Sequence, residues 1–118
     1  MQPGPAEVLR IRVPHGDDVA LGPGKAALLE AIQETGSISA AGRKLGMSYR
    51  KAWLLVDQMN GCFAQPVVVS TKGGARGGGA AVTPFGLDVL IWYRDMEANA
   101  WRAIQPGIKH LSALLKRG

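Results

Sequence analysis

Residues 37–53 read "SISAAGRKLGMSYRKAW" and carry four basic side chains, Arg43, Lys44, Arg50 and Lys51, with no acid among them. Their small and apolar residues fall at the spacings of two short helices. Ser37 or Ser39 suits the cap of the first, because a serine hydroxyl accepts a hydrogen bond from the backbone N–H groups left unpaired where a helix begins. That helix contains Ala40, Ala41 and Leu45 and closes at Gly46, a residue type that tolerates positive φ. Ser48 caps the second helix, "YRKAWLLVDQMN". In it Ala52, Val56 and Met59 stand at i, i+4 and i+7 and share a buried face, while Tyr49, Arg50, Trp53 and Leu54 point elsewhere.

Small residues where two helices cross (Ala40, Ala41), a glycine in the turn and a capped second helix are what a helix-turn-helix requires. The second helix of such a pair enters the major groove by its N-terminal turns, and Tyr49, Arg50 and Lys51 supply side chains that reach base edges and phosphates. Trp53 serves equally well as core cover or as a DNA contact.

Downstream, the runs "PVVVST" and "AAVT" flank "KGGARGGG", which has five glycines from Gly73 to Gly79. This predicts a β-hairpin with a long tip, a wing over about 67–83. Glycines such as Gly74 and Gly78 let the backbone pass close to phosphates, and Lys72 and Arg76 add charge. Thr83 and Pro84 then start a helix that carries Leu87, Leu90, Ile91, Met96 and Trp101 to about residue 104. Pro106 and Gly107 are expected to break it before a tail helix over about 107–116. The apolar positions of the long helix wrap around more than one stripe, so two partners are expected, the core and a second protomer. Trp92 and Trp101, nine residues apart, lie on opposite faces.

Upstream, "VLRIRV" at 8–13 alternates apolar and basic residues and predicts a half-buried strand ended by Pro14. A turn at "HGDD", strand residues Val19 to Leu21 and a helix from Pro23 to near Gly36 complete the reading. The 118 residues are expected to form one domain, mainly α with a β-hairpin wing, a winged helix-turn-helix whose helix-turn-helix spans about 38–60.

Charge placement agrees. Between Thr35 and Leu87 six basic residues face one acid, Asp57, whereas the rest of the chain has eight of each sign. All of the net +5 therefore lies on the segment holding the helix pair and wing, a concentration that favours a polyanion such as duplex DNA. The lone Cys62 allows no internal disulfide, and a reducing cytoplasm is the expected compartment. No export signal or membrane span is indicated. The glycine run does not make a nucleotide-binding P-loop, since "GARGGGAA" ends in two alanines instead of Lys and Ser or Thr. His15 and His110 stand apart from any metal-ligand spacing, Cys62 reads as a small, partly buried residue, and no nucleophile or H-E-x-x-H motif occurs. No enzyme activity, cofactor or metal is expected.

The stretches "TGSIS", "MSYRKAW" and "MN", with the glycine-rich wing and "TPFG", closely resemble the N-terminal DNA-binding domain of the ModE molybdate-responsive regulators, a LysR-type winged helix, over about Gly22 to Tyr93. The resemblance implies a homodimer on a palindromic operator, with Ser48, Tyr49, Arg50 and Trp53 facing DNA and genes of molybdenum uptake or molybdoenzymes as targets. It also implies that the helix after the wing and neighbouring segments form the dimer contact. A chain ending at Gly118 leaves no room for molybdate-binding domains, so a stand-alone DNA-binding domain is expected. The residues expected at DNA are Ser37, Ser39, Ser48, Tyr49, Arg50, Lys51, Trp53, Leu54, Lys72, Gly74, Arg76 and Gly78; those expected between protomers are Leu87, Leu90, Ile91, Met96 and Trp101. The alternative is a winged-helix interaction module that docks a separate sensor protein or enzyme complex through the long helix.

Overall fold

The computed structural model describes residues 4–71 and 79–117. In chain order the elements are α1 (Pro5–Val8), β1 (Val13–His15), β2 (Asp18–Leu21), α2 (Pro23–Thr35), α3 (Ile38–Lys44), α4 (Tyr49–Cys62), β3 (Val68–Thr71), β4 (Gly79–Val82) and α5 (Pro84–Ser112). The strands form two separate antiparallel hairpins, β1-β2 and β3-β4. This mostly helical arrangement with two small hairpins is consistent with a winged-helix-like fold.

The core is built where α2, α3 and α4 meet. Leu28, Leu29 and Ile32 of α2, Ile38 and Ala41 of α3, and Ala52, Val56 and Met59 of α4 are buried together with Val67, Val68, Ala80, Leu90 and Tyr93. Burying an aliphatic side chain of this size contributes about 1.5–3 kcal/mol, so this cluster supplies the main drive for folding. At one edge the Tyr93 hydroxyl donates to the Ile11 carbonyl at 2.7 Å and ties α5 to the N-terminal segment.

Two expectations are corrected. Residues 8–13 do not form the strand: Val8 ends α1, and β1 begins at Val13 and includes Pro14. Ile11 and Val13 do pack against the core, and Arg10 and Arg12 are exposed, so the alternation is real. What is missing is a partner. The four-residue β2 pairs only from Val13↔Leu21 onward, with a register irregularity beside Pro14, which has no N–H to donate.

The second correction concerns the long helix, which runs unbroken through Pro106 to Ser112 without a separate tail helix at 107–116. A proline inside a helix removes one hydrogen bond and costs about 3 kcal/mol. Here Pro106 is exposed, in a part of α5 beyond the last buried residue, Glu97, where the freed carbonyl can turn to solvent. The 29 residues of α5 span about 43 Å at 1.5 Å per residue. They account for the elongated shape, 56 × 31 × 23 Å.

Candidate nucleic-acid interface

The bounds of the α3–α4 pair are fixed by three local devices, one at the start of α3 and two in the turn between the helices. Ser37 caps α3, accepting from the Ala40 N–H at 3.1 Å. Ser48 caps α4, accepting from the Lys51 N–H at 3.0 Å. Between them Gly46 takes φ +70°, and its N–H donates to Arg43 O while that of Met47 donates to Gly42 O, closing α3 in a Schellman turn. The helices touch at Gly42 and Ala52: a Cβ added at Gly42 would lie 3.2 Å from that of Ala52. Ala41 is fully buried at this crossing, but Ala40 is only half-buried, so Gly42 does the work expected of Ala40.

With Ala52, Val56 and Met59 turned inward, a rotation of about 100° per residue puts Arg50, Leu54 and Asp57 on the opposite, outward stripe of α4. All three are exposed, as is Lys51. Tyr49, at the first turn, is 59% exposed, and its ring meets that of Trp53 edge-on at 6.2 Å. Trp53 is half-buried against the core, so it braces Tyr49 on one side and covers apolar residues on the other. Ser39 is not the cap; it lies within α3, and its hydroxyl accepts from Arg43 Nη1 at 3.1 Å. Lys44 pairs with Glu34 of α2 at 2.5 Å, both side chains about half exposed. Among the described residues Arg50 and Lys51 form no ion pair, so their charge is presented to solvent.

The wing flanks α4 through contacts the sequence reading did not single out. Asn60 accepts from the Val67 N–H at 2.8 Å and donates to Val68 O at 3.0 Å, binding the end of α4 to the start of β3. The hydroxyl of Thr83 donates to Pro66 O at 2.7 Å while accepting from the Gly86 N–H at 2.9 Å. It therefore closes the wing and caps α5 at once. Gly86 is compulsory there, because a Cβ would lie 2.2 Å from Val67 O. Phe63 and Phe85 stack edge-on at 6.2 Å across the same base. Asn60 belongs to "MN" and Gly86 to "TPFG", but side chain-to-backbone bonds across 7 and 17 positions leave no periodic signal in the sequence. Lys72, Gly74, Arg76 and Gly78 of the wing tip lie outside the described residues.

On α5 the residues expected between protomers separate. Leu90 is buried in the chain's own core, as its spacing of three from Tyr93 and seven from Glu97 dictates, and leaves that set. Leu87 and Ile91 form one exposed i, i+4 pair; Trp92, 64% exposed, and Met96 form another. Trp101 is half-buried and lines a groove of about 830 Å³ with Val8, Gln105, Pro106 and Ile108. Arg94 bonds Glu97 at 2.6 Å and also pairs with Glu30, locking α5 to α2. Burial opposes the Arg94 charge, yet these carboxylates hold its pKa above the usual guanidinium value. Among the described residues no group of three or more His, Cys, Asp or Glu could hold a metal ion, and no helix is long and apolar enough to cross a membrane.

No protein-family model matches the chain. Over 92 residues it is 44% identical to the molybdenum-pterin-binding protein MopB of Rhodobacter capsulatus, covering 78% of this chain and 34% of that protein. It is 40% identical over 85 residues to the molybdenum transport protein ModE of Azotobacter vinelandii, covering 72% and 32%. The DNA-binding transcriptional dual regulator ModE of Escherichia coli K12 is 35% identical over 71 residues, covering 60% and 27%. The chain thus spans about a third of the length of the relatives it matches most strongly, and over that shared segment its similarity supports the ModE family.

Proposed function

We propose that this chain binds duplex DNA as the winged helix-turn-helix of a ModE-like transcriptional regulator, a non-catalytic role. The observation that carries the reading is the outward stripe of α4: Arg50 beside Lys51, exposed and without an ion pair among the described residues, at the capped start of a helix whose opposite face is buried. The first turns of α4 enter the major groove, with Arg50 at base edges and Lys51, Arg43 and Lys44 at phosphates. Ser48 and Tyr49 lie at the mouth of the groove, and the charges of Lys72 and Arg76 add to the attraction for phosphates. Molybdenum enters through the relatives' names alone, and on that ground the regulated genes are those of molybdenum uptake or molybdoenzymes.

The chain acts as a homodimer. Leu87, Ile91, Trp92 and Met96 leave an apolar surface on α5 that the core does not cover. A two-fold pair would set two copies of α4 about one helical turn of DNA apart, roughly 34–36 Å. The test is fluorescence anisotropy with labelled duplexes between 50 and 300 mM salt. If each protomer neutralises about four to six phosphates, log affinity falls against log salt with a slope of roughly −0.9 per phosphate. A flat salt dependence overturns the reading.

A further inference from the structure

We infer that Leu54 is a specificity residue that reads the 5-methyl group of a thymine in the bound site. The inference rests on the DNA-binding reading above and names what one position of that site recognises. Leu54 is 49% exposed and stands one turn beyond Arg50 on the outward stripe of α4. Its neighbour Leu55 is the one that packs toward the core, so Leu54 has no task in the chain's own interior. The next residue of the stripe is Asp57. A carboxylate is repelled by phosphates, so close contact with DNA ends in the second turn of α4 and Leu54 marks its inner edge.

The occupant follows from the surroundings. A protein partner would have to combine an apolar surface over Leu54 with carboxylates set against both Arg50 and Lys51, because burying those cations unpaired is strongly unfavourable. DNA pairs those cations with phosphates and base acceptors while offering an apolar target. In the major groove that target is the thymine methyl, the one apolar group on the base-pair edges. Arg50 favours guanine O6 and N7, so the site should hold a guanine and, on the floor of the same groove within one helical turn of α4, a thymine.

The experiment begins with duplexes that the wild-type protein enriches from a random 24-base-pair pool. Each thymine is then replaced singly by deoxyuridine, which removes the methyl and nothing else. One position per half-site should lose about fourfold in affinity, the worth of one buried methyl. Leu54→Ala should lose a similar factor on the thymine duplex and be indifferent to deoxyuridine at that position. Indifference of wild type to every replacement overturns the inference alone, as does a Leu54→Ala loss that is equal on thymine and deoxyuridine duplexes. Absence of any enriched sequence, together with salt-independent retention, overturns the DNA-binding reading and this inference with it.

Discussion

Helices α4 and α5 each bury one face in the same core, yet their uncovered faces differ in kind. On α4 the outward stripe carries Arg50 and Asp57 around a single exposed leucine, with Lys51 alongside. On α5 it carries Leu87, Ile91, Trp92 and Met96, with Asp88 and Asp95 between them. On α5 two exposed i, i+4 apolar pairs, one of them built on a tryptophan, make an apolar surface larger than a solvated helix face carries, whereas the leucine of α4 is single and stands among charges. The first surface suits a partner that is itself apolar, whereas basic side chains at a capped helix start suit an anion. The contrast teaches that the inner faces, apolar on α4 and mixed on α5 where Tyr93 and Glu97 are buried beside Leu90, settle only the fold. Their outer faces carry the proposed functions, DNA on α4 and a second protomer on α5.

The sharpest way to break this arrangement is at the base of the wing, where both helices are joined. A valine at position 86 would drive its side chain into the Val67 carbonyl, 2.2 Å from the Cβ position, and neither backbone can move without opening the Thr83 cap. Gly86→Val should therefore cost about 3 kcal/mol or more, read as a lowered urea midpoint. Preserved stability would mean that α5 can separate from the wing without consequence to the core.

A second break isolates α5. Trp92→Glu combined with Ile91→Glu places charges on both exposed apolar pairs without touching the buried Leu90 or Tyr93. The expected result is an unchanged fold by circular dichroism and a monomer in sedimentation at micromolar concentration, where the unaltered chain sediments as a dimer. Truncating a central aromatic of an interface typically costs about 2–4 kcal/mol, enough to shift dissociation by two orders of magnitude. A chain that is monomeric to begin with would remove the dimer and leave the α5 surface to another protein.

A third tests α4. Arg50→Ala should cost roughly 1–3 kcal/mol on an enriched duplex and much less on random DNA, because a guanidinium at a guanine edge discriminates while one at a phosphate does not. Competition binding with both duplexes checks it. Equal losses would move Arg50 from base reading to the backbone.

How far the sequence alone could carry this depends on the range over which each feature is encoded. The cap Ser48, the Gly46 turn and the face of Ala52, Val56 and Met59 were legible because each is set by residues within a turn or two, while the choice between Ser37 and Ser39 needed the backbone path into α3. The candidate DNA face followed from them, since opposite a buried stripe only one orientation is left. The strand expected at 8–13 was misplaced because alternation encodes burial, not hydrogen-bond partners, and the partner strand is too short. The break expected at Pro106 failed because proline disfavours a helix by about 3 kcal/mol without forbidding it, and in this exposed part of α5 the unpaired carbonyl can meet water. Leu90 was grouped with the protomer contact because an apolar helix gives no sign of which side meets the core until the neighbouring elements are placed. Asn60 and the double role of Thr83 required tertiary proximity to be seen at all.

The smallest effect concerns the one basic side chain of the α3 surface that is already engaged by a carboxylate. Lys44 and Glu34 are both about half exposed, so their pair is screened and contributes no more than about 0.5 kcal/mol to stability. Glu34→Gln should accordingly leave the urea midpoint almost unchanged. On the DNA-binding reading its effect appears elsewhere: Glu34 competes with phosphate for the Lys44 ammonium, and removing the competitor makes that cation available without altering any residue of α3 or α4. Affinity for enriched and random duplexes should rise together, by about twofold, because a phosphate contact carries no sequence information. Arg50→Ala lowers the ratio of the two affinities; Glu34→Gln should leave that ratio fixed. Anisotropy titrations of the two variants side by side distinguish the roles. A Glu34→Gln protein that binds no better than the unaltered chain would place Lys44 beyond reach of the backbone and leave Arg43 as the basic residue of α3 at the phosphates.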